Sequence, residues 1–211
     1  MLDVHPPHET PHGPRDFFLH LFTITIGLLI ALSLEGLVEW QHHRHLAHDA
    51  ESSMQREIKS NAAGMADTLT ELHAEQAGLK HDVELLSLVE KAGKYPENSN
   101  MSVSFHIHTF DDLSWRTAET TGALAYIPYD EAEKYADIYK RQEELAASEH
   151  DAARDAAVAL APFLNSGSDG PSAAEAQSMI EKLGVLQGQL MIVDSFMTSL
   201  DRHYKKFLGT A

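Results

Sequence analysis

Fourteen of the 211 residues are histidine and none is cysteine, so any metal or proton chemistry in this chain must run through imidazole and carboxylate. Two groups have suitable spacing. His42, His45 and Asp49 stand at i, i+3 and i+7, on one face of a helix, with His48 one position round. His106-Ile-His108, if extended, presents both imidazoles on one side, close to Asp111 and Asp112. Imidazole with carboxylate suits a divalent metal such as zinc, nickel or copper, and imidazole also changes charge across mildly acidic pH. Neither group fills a tetrahedral shell alone; a metal bridging two protomers would complete the first. Enzyme templates do not occur: the sequence has no glycine-rich phosphate loop, no HExxH, no Gly-x-Ser-x-Gly and no cysteine nucleophile. Glu71-Leu-His73 and Glu149-His150 miss the Glu-x-x-His spacing of helical carboxylate metal sites. The expectation is a protein that is not an enzyme and needs no cofactor, with a divalent metal as the candidate ligand.

The first histidine group follows the most apolar part of the chain. From Phe17 to Leu34 no residue carries a formal charge. As a helix this stretch is roughly 27 Å long, and roughly 33 Å if it continues to Val38, against about 30 Å for a bilayer's hydrocarbon core. The reading is a polar tail over 1–16, a transmembrane helix over 17–38, and a helical domain over 39–211. Trp40 suits the membrane–water interface. A cleavable signal peptide is the alternative, since Ala31-Leu-Ser33 is a small-x-small triplet. Against cleavage, the leader has Arg15 opposed by Asp3, Glu9 and Asp16, and the apolar face continues through Leu34, Leu37 and Val38. Within the span His20, Thr23, Gly27, Ala31 and Glu35 share one face. Thr23, Gly27 and Ala31 form a small-residue stripe that lets two helices approach in lipid. A homo-oligomer or a membrane-protein partner is therefore expected. His5, His8 and His12 fall across the membrane from both histidine groups.

Asp3-Val-His-Pro-Pro-His8, His12, Asp16-Phe17, His20, Thr23-Ile24, Gly27-Leu-Leu-Ile-Ala31, Leu34-Glu35 and His42-His-Arg-His45 together resemble the opening of a group of uncharacterised bacterial single-span membrane proteins. Trp115 through Gly122-Ala-Leu124 to Tyr139 is similar to a tryptophan/glycine segment of related envelope proteins. The resemblance covers about 43 residues closely and about 25 loosely. It implies an inner-membrane location, a cytoplasmic N-terminus and a periplasmic helical domain, and it carries no activity.

Periodicity defines the rest. Ile58, Ala62, Met65, Leu69, Leu72, Gln76, Leu79, Val83 and Leu86 step by four and three, the mark of an apolar seam on a long helix. A second seam runs from Ala132 through Tyr135, Tyr139, Gln142, Ala146, Glu149, Ala153 and Ala156 to Phe163, and a third from Ala176 to Phe207. Ser172-Ala-Ala-Glu175 is a capping box. Pro128 suits the start of the second helix, and Pro162 with Asn165–Pro171 its end. The expected fold is all-α: the N-terminal transmembrane helix continues into an antiparallel bundle of long helices, up-down-up, with an irregular insertion about 93–110. A shorter helix, roughly 112–125, covers the seam with Trp115 and Leu124.

The formal charge is −16, from 32 acids against 16 Lys and Arg. Nucleic acid demands a basic footprint and is excluded as a partner. Protonating every histidine would set thirty positive charges against thirty-two negative. The functional expectation is a membrane-anchored binding, scaffold or sensory module, with a histidine-based metal or pH response as the alternative.

Overall fold

A single helix, α1, runs unbroken from Pro14 to Ala92, 79 residues and about 118 Å long. Proline at its first turn loses no intrahelical hydrogen bond. At the far end Gly93 takes a left-handed conformation (φ 69°) and its N–H closes on Val89 O, a turn that a side chain would strain. The computed structural model describes residues 13–96, 99–102, 105–166 and 170–210. Most of the polar tail, including His5, His8 and His12, lies outside these.

The lower part of α1 is exposed along the whole of its apolar stretch and is long enough to cross a membrane. It is thus no buried core helix. Its hydroxyls are satisfied locally: Thr23, Thr25 and Ser33 donate to the carbonyls four residues back, Leu19, Leu21 and Leu29. Thr23, Gly27 and Ala31 are exposed, and a Cβ added at Gly27 would meet nothing within 4 Å. Burial begins at Ala47 and then recurs every seventh residue from Ile58 through Met65, Leu72 and Leu79 to Leu86. One helix therefore joins the exposed apolar segment to the core.

The other helices are α2 (Leu113–Thr121), α3 (Tyr129–Asn165) and α4 (Ala173–Leu208), with a 3-10 turn at Ala123–Tyr126. No strand occurs among the described residues. Pro128 caps α3 as expected, whereas Pro162 lies inside the helix, which ends at Asn165. A proline disturbs the turn before it and not the residues after it, so the last turn closes normally. At α4 the Ser172 hydroxyl accepts from Glu175 N–H and the Glu175 carboxylate from Ser172 N–H, which completes the capping box.

Cross-helix pairs give the chain directions. Gln55 bonds Tyr135, Tyr139 bonds Glu57, and Tyr95 packs on Phe163, so α3 runs the same way as α1. Asp194 meets His73 and Leu190 O accepts from Gln76, so α4 runs the opposite way. The up-down-up course expected from three long helices is not the one observed. The chain descends between α1 and α3 as the stretch 99–126, which spans most of the domain's length instead of looping out at its top. Three long seams count only long helical legs, and this leg is helical only in the short α2 and the 3-10 turn.

The core centres on α4, which packs against both α1 and α3 and buries Met179, Leu183, Leu186, Leu190, Val193, Met197, Leu200 and Tyr204. Facing it, α3 contributes Ala152, Ala156 and Ala159. Alanine permits close helix approach but removes little area from water, at about 25 cal/mol per Å². Larger side chains of the descending leg, Phe105, Phe110, Trp115 and Leu124, supply further apolar cover. Trp115 stacks on Tyr139 at 5.2 Å, in the core-covering role its sequence context suggested.

Candidate functional site

The descending leg is tied to α1 by a polar stripe lying one residue before the apolar seam. Glu57, Asn61, Glu71, Glu75, Gly78 and Asp82 keep the same four-and-three rhythm as Ile58, Ala62, Leu72, Gln76, Leu79 and Val83. Each stripe residue meets the strap of residues 99–114 in turn. Asp82 Oδ1 accepts from Ser102 N–H at 2.8 Å, and Ser102 Oγ donates to Gly78 O at 3.3 Å. A Cβ at Gly78 would sit 3.4 Å from that hydroxyl, so the strap lies directly against the helix. Glu75 Oε1 accepts from His106 N–H at 2.7 Å. Asn61 pairs with the backbone of Asp111 in both directions. Glu57 accepts from Ser114 N–H and from the Tyr139 hydroxyl. The Glu57 carboxylate thereby caps α2, whose own Asp112 makes no side-chain cap.

The two strap histidines are held by carboxylates other than the neighbours the sequence suggested. His106 Nδ1 lies 2.8 Å from Glu75 Oε1. His108 Nδ1 lies 2.8 Å from Glu149 Oε1 on α3, and its Nε2 3.3 Å from Glu71 Oε2 on α1. Asp111 instead meets Asn61 through its backbone, and Asp112 pairs with Arg116. His108 thus bridges both parallel helices through its two nitrogens. With both carboxylates ionised each can only accept, so both nitrogens of His108 donate to them and the arrangement favours the imidazolium. Burial opposes that charge, but the hydrogen bond to Glu149 and the surrounding carboxylates outweigh it, and the His108 pKa is raised. Burial in turn raises the Glu149 carboxyl, with His108 pulling it back.

The supporting acids are far from solvent. Glu149 is 1% exposed, Asp82 0% and Glu75 8%. Each has one oxygen bonded to the strap and a second, buried oxygen without a hydrogen-bond partner among the described residues. A buried carboxylate oxygen left without a partner costs roughly 1–3 kcal/mol of desolvation.

The histidine group that follows the apolar segment is arranged differently. His42, His45 and Asp49 are all exposed on α1. His45, His43 and His48 line a cleft of about 910 Å³ with Trp40, Arg44 and Tyr126. His43 stacks on Tyr126 at 3.8 Å, which brings the 3-10 turn down to the level of Trp40. Arg44 lies over the Trp40 ring at 5.4 Å. Among the described residues no group of three or more metal-ligating side chains is assembled, at this cluster or at His106 and His108.

Sequence reasoning missed the partners Glu71, Glu75, Glu149 and Asp82. For the three on α1 the signal was the four-and-three repeat of polar residues beside the seam, which on a solvated helix has the same appearance, and for Glu149 it was a carboxylate standing within the α3 seam itself. No family model, no curated protein and no solved structure matches the chain, so its functional reading rests on this geometry.

Proposed function

We propose that the chain is a single-span membrane protein whose helical domain works as a binding or scaffold module with a pH-responsive strap. The observation that carries the reading is the continuity of α1. The same helix holds the exposed apolar segment and the stripe that docks the strap, so strap release changes the surface of a helix continuous with the span. The three long helices and the descending leg form a bundle in which α4 runs antiparallel to α1 and α3. His108, charged between Glu149 and Glu71, is the titrating latch. Other ionisable side chains line the cleft beside it, namely Arg116, Glu119, Lys140, Glu143 and His150, and Glu75 faces it from α1.

In this reading the span is uncleaved near residues 17–38 in the bacterial inner membrane. The tail is cytoplasmic and the domain periplasmic, an orientation that rests on the resemblance. Local charge opposes it mildly, with Arg15 before the segment and Arg44 and Arg56 after it. Alkaline phosphatase and fluorescent-protein fusions at Ala211 test the orientation: an active phosphatase and a dark fluorophore are expected. A bright fluorophore reverses it, and a mature chain beginning near Leu34 removes the anchor.

A further inference from the structure

We propose that the cleft between α1, the start of α3 and the end of α4 binds a small organic anion with an apolar body, of the aryl or alkyl phosphate or carboxylate class. The cleft measures about 830 Å³, within the range of small-molecule sites, about 300–1,000 Å³. Its apolar lining is Tyr135, Ile138, Phe207 and Leu208; Tyr135 and Ile138 are buried beneath it, while Phe207 and Leu208 are half-buried and leave apolar surface open, with Tyr135 and Phe207 edge to face at 5.2 Å. Around this lining stand Arg56, Lys59, Lys134 and Lys206, four of the sixteen Lys and Arg in a chain of net charge −16.

The charges are not balanced within the cleft. Its acids are Glu131 and Asp137. Glu131 is taken by Lys134 at 2.7 Å, and Asp137 by Arg141 at 3.0 Å with His203 at 3.8 Å. The Arg141 guanidinium holds the Asp137 carboxyl below its ordinary value. Among the described residues Arg56, Lys59 and Lys206 have no acidic partner within ion-pair distance. Lys206 in the last turn of α4 complements that helix end, but Arg56 and Lys59 sit mid-helix, where no helix end accounts for them. Three unpaired cations beside the open apolar surface of Phe207 and Leu208 match a ligand with an anionic head and an apolar body, and a bare ion would leave that surface uncovered. Given the span, Lys59 lies roughly 31 Å along the helix from Val38, beyond a headgroup layer of about 5–8 Å. The ligand is therefore a soluble molecule and not a bilayer lipid.

Calorimetry on the full chain in phosphatidylcholine nanodiscs tests this, with empty discs as reference and 2-naphthyl phosphate, 2-naphthol and inorganic phosphate as probes. The expected result is that 2-naphthyl phosphate binds about tenfold or more tighter than either other probe, the equivalent of about 1.4 kcal/mol. Lys59→Gln/Lys206→Gln should weaken it about tenfold, while Lys91→Gln/Lys182→Gln, which removes the same charge elsewhere, should not. Equal binding of 2-naphthol would make the cleft merely apolar, and equal binding of inorganic phosphate would make it a plain ion site; either overturns the proposal. So does a wild type that binds none of the probes, or a cleft variant that binds as the wild type does. Incorporation into discs reports on the membrane span separately.

Discussion

His108 owes its charge to where its two ring nitrogens point, at Glu149 from one side and at Glu71 from the other. Because its pKa is raised in the folded chain, its contribution to strap docking is fully present below its unfolded value, about 6.5, and is lost as pH rises through the higher folded value. Glu149 adds the same sign, since its carboxyl is also raised by burial and the stability gained by burying it neutral is lost as pH climbs above its ordinary value. Amide hydrogen exchange in residues 105–110, corrected for intrinsic rate, should therefore quicken between pH 6 and 8.5. His108→Gln keeps a donor for Glu149 but cannot charge, so its strap should be less protected at pH 6 and should lose most of the pH dependence. A wild-type profile that is flat over this interval would remove the latch.

At the scale of the element, α3 brings small residues to the core and α4 brings large ones. Ala152 and Ala159 are 0% exposed and Ala156 3%, so a larger side chain at this contact has no solvent to turn into. Ala156→Leu should overpack it and cost about 1–3 kcal/mol, read as a lower urea midpoint at unchanged slope. An unchanged or higher midpoint would show spare volume along the seam. The strap follows a different rule. It lacks regular structure of its own, and carboxylates and an asparagine of α1 supply the partners that its backbone needs. Element and connection are thus stabilised by adjacent stripes of one helix, one apolar and one polar.

The whole molecule couples an acidic domain to an apolar segment that has no partner among the described residues. Thr23, Gly27 and Ala31 lie exposed on one side, and Gly27 leaves room for a second backbone. Association through this face is the proposal that follows, either with another copy or with a membrane protein. Mass photometry in detergent should find wild type in assemblies larger than one chain. Gly27→Leu should shift the population toward the single chain by blocking close approach. A wild type that is strictly monomeric, with nothing co-purifying, would contradict it.

The all-α class, the long seams on α1, α3 and α4, the capping box at Ser172, the irregular stretch after Gly93 and the exposed apolar segment were all legible in the sequence. Each depends on periodicity or composition within a few turns of one helix. The parallel run of α1 and α3, the strap between them, and the pairing of His108 with Glu149 and Glu71 depend on contacts between residues 20 to 82 positions apart. Glu71 and Glu75 beside an apolar seam read as a solvated face until another segment lies on them. His106-Ile-His108 reads as a pair beside Asp111 and Asp112 until packing turns the first ring to α1 and sets the second between α1 and α3. Helical rhythm is a local property of the chain, and it sets which face of α1 is apolar. What covers the neighbouring polar face is decided by tertiary packing, because a carboxylate accepts equally well from water and from a strap amide, and only the fold determines which reaches it.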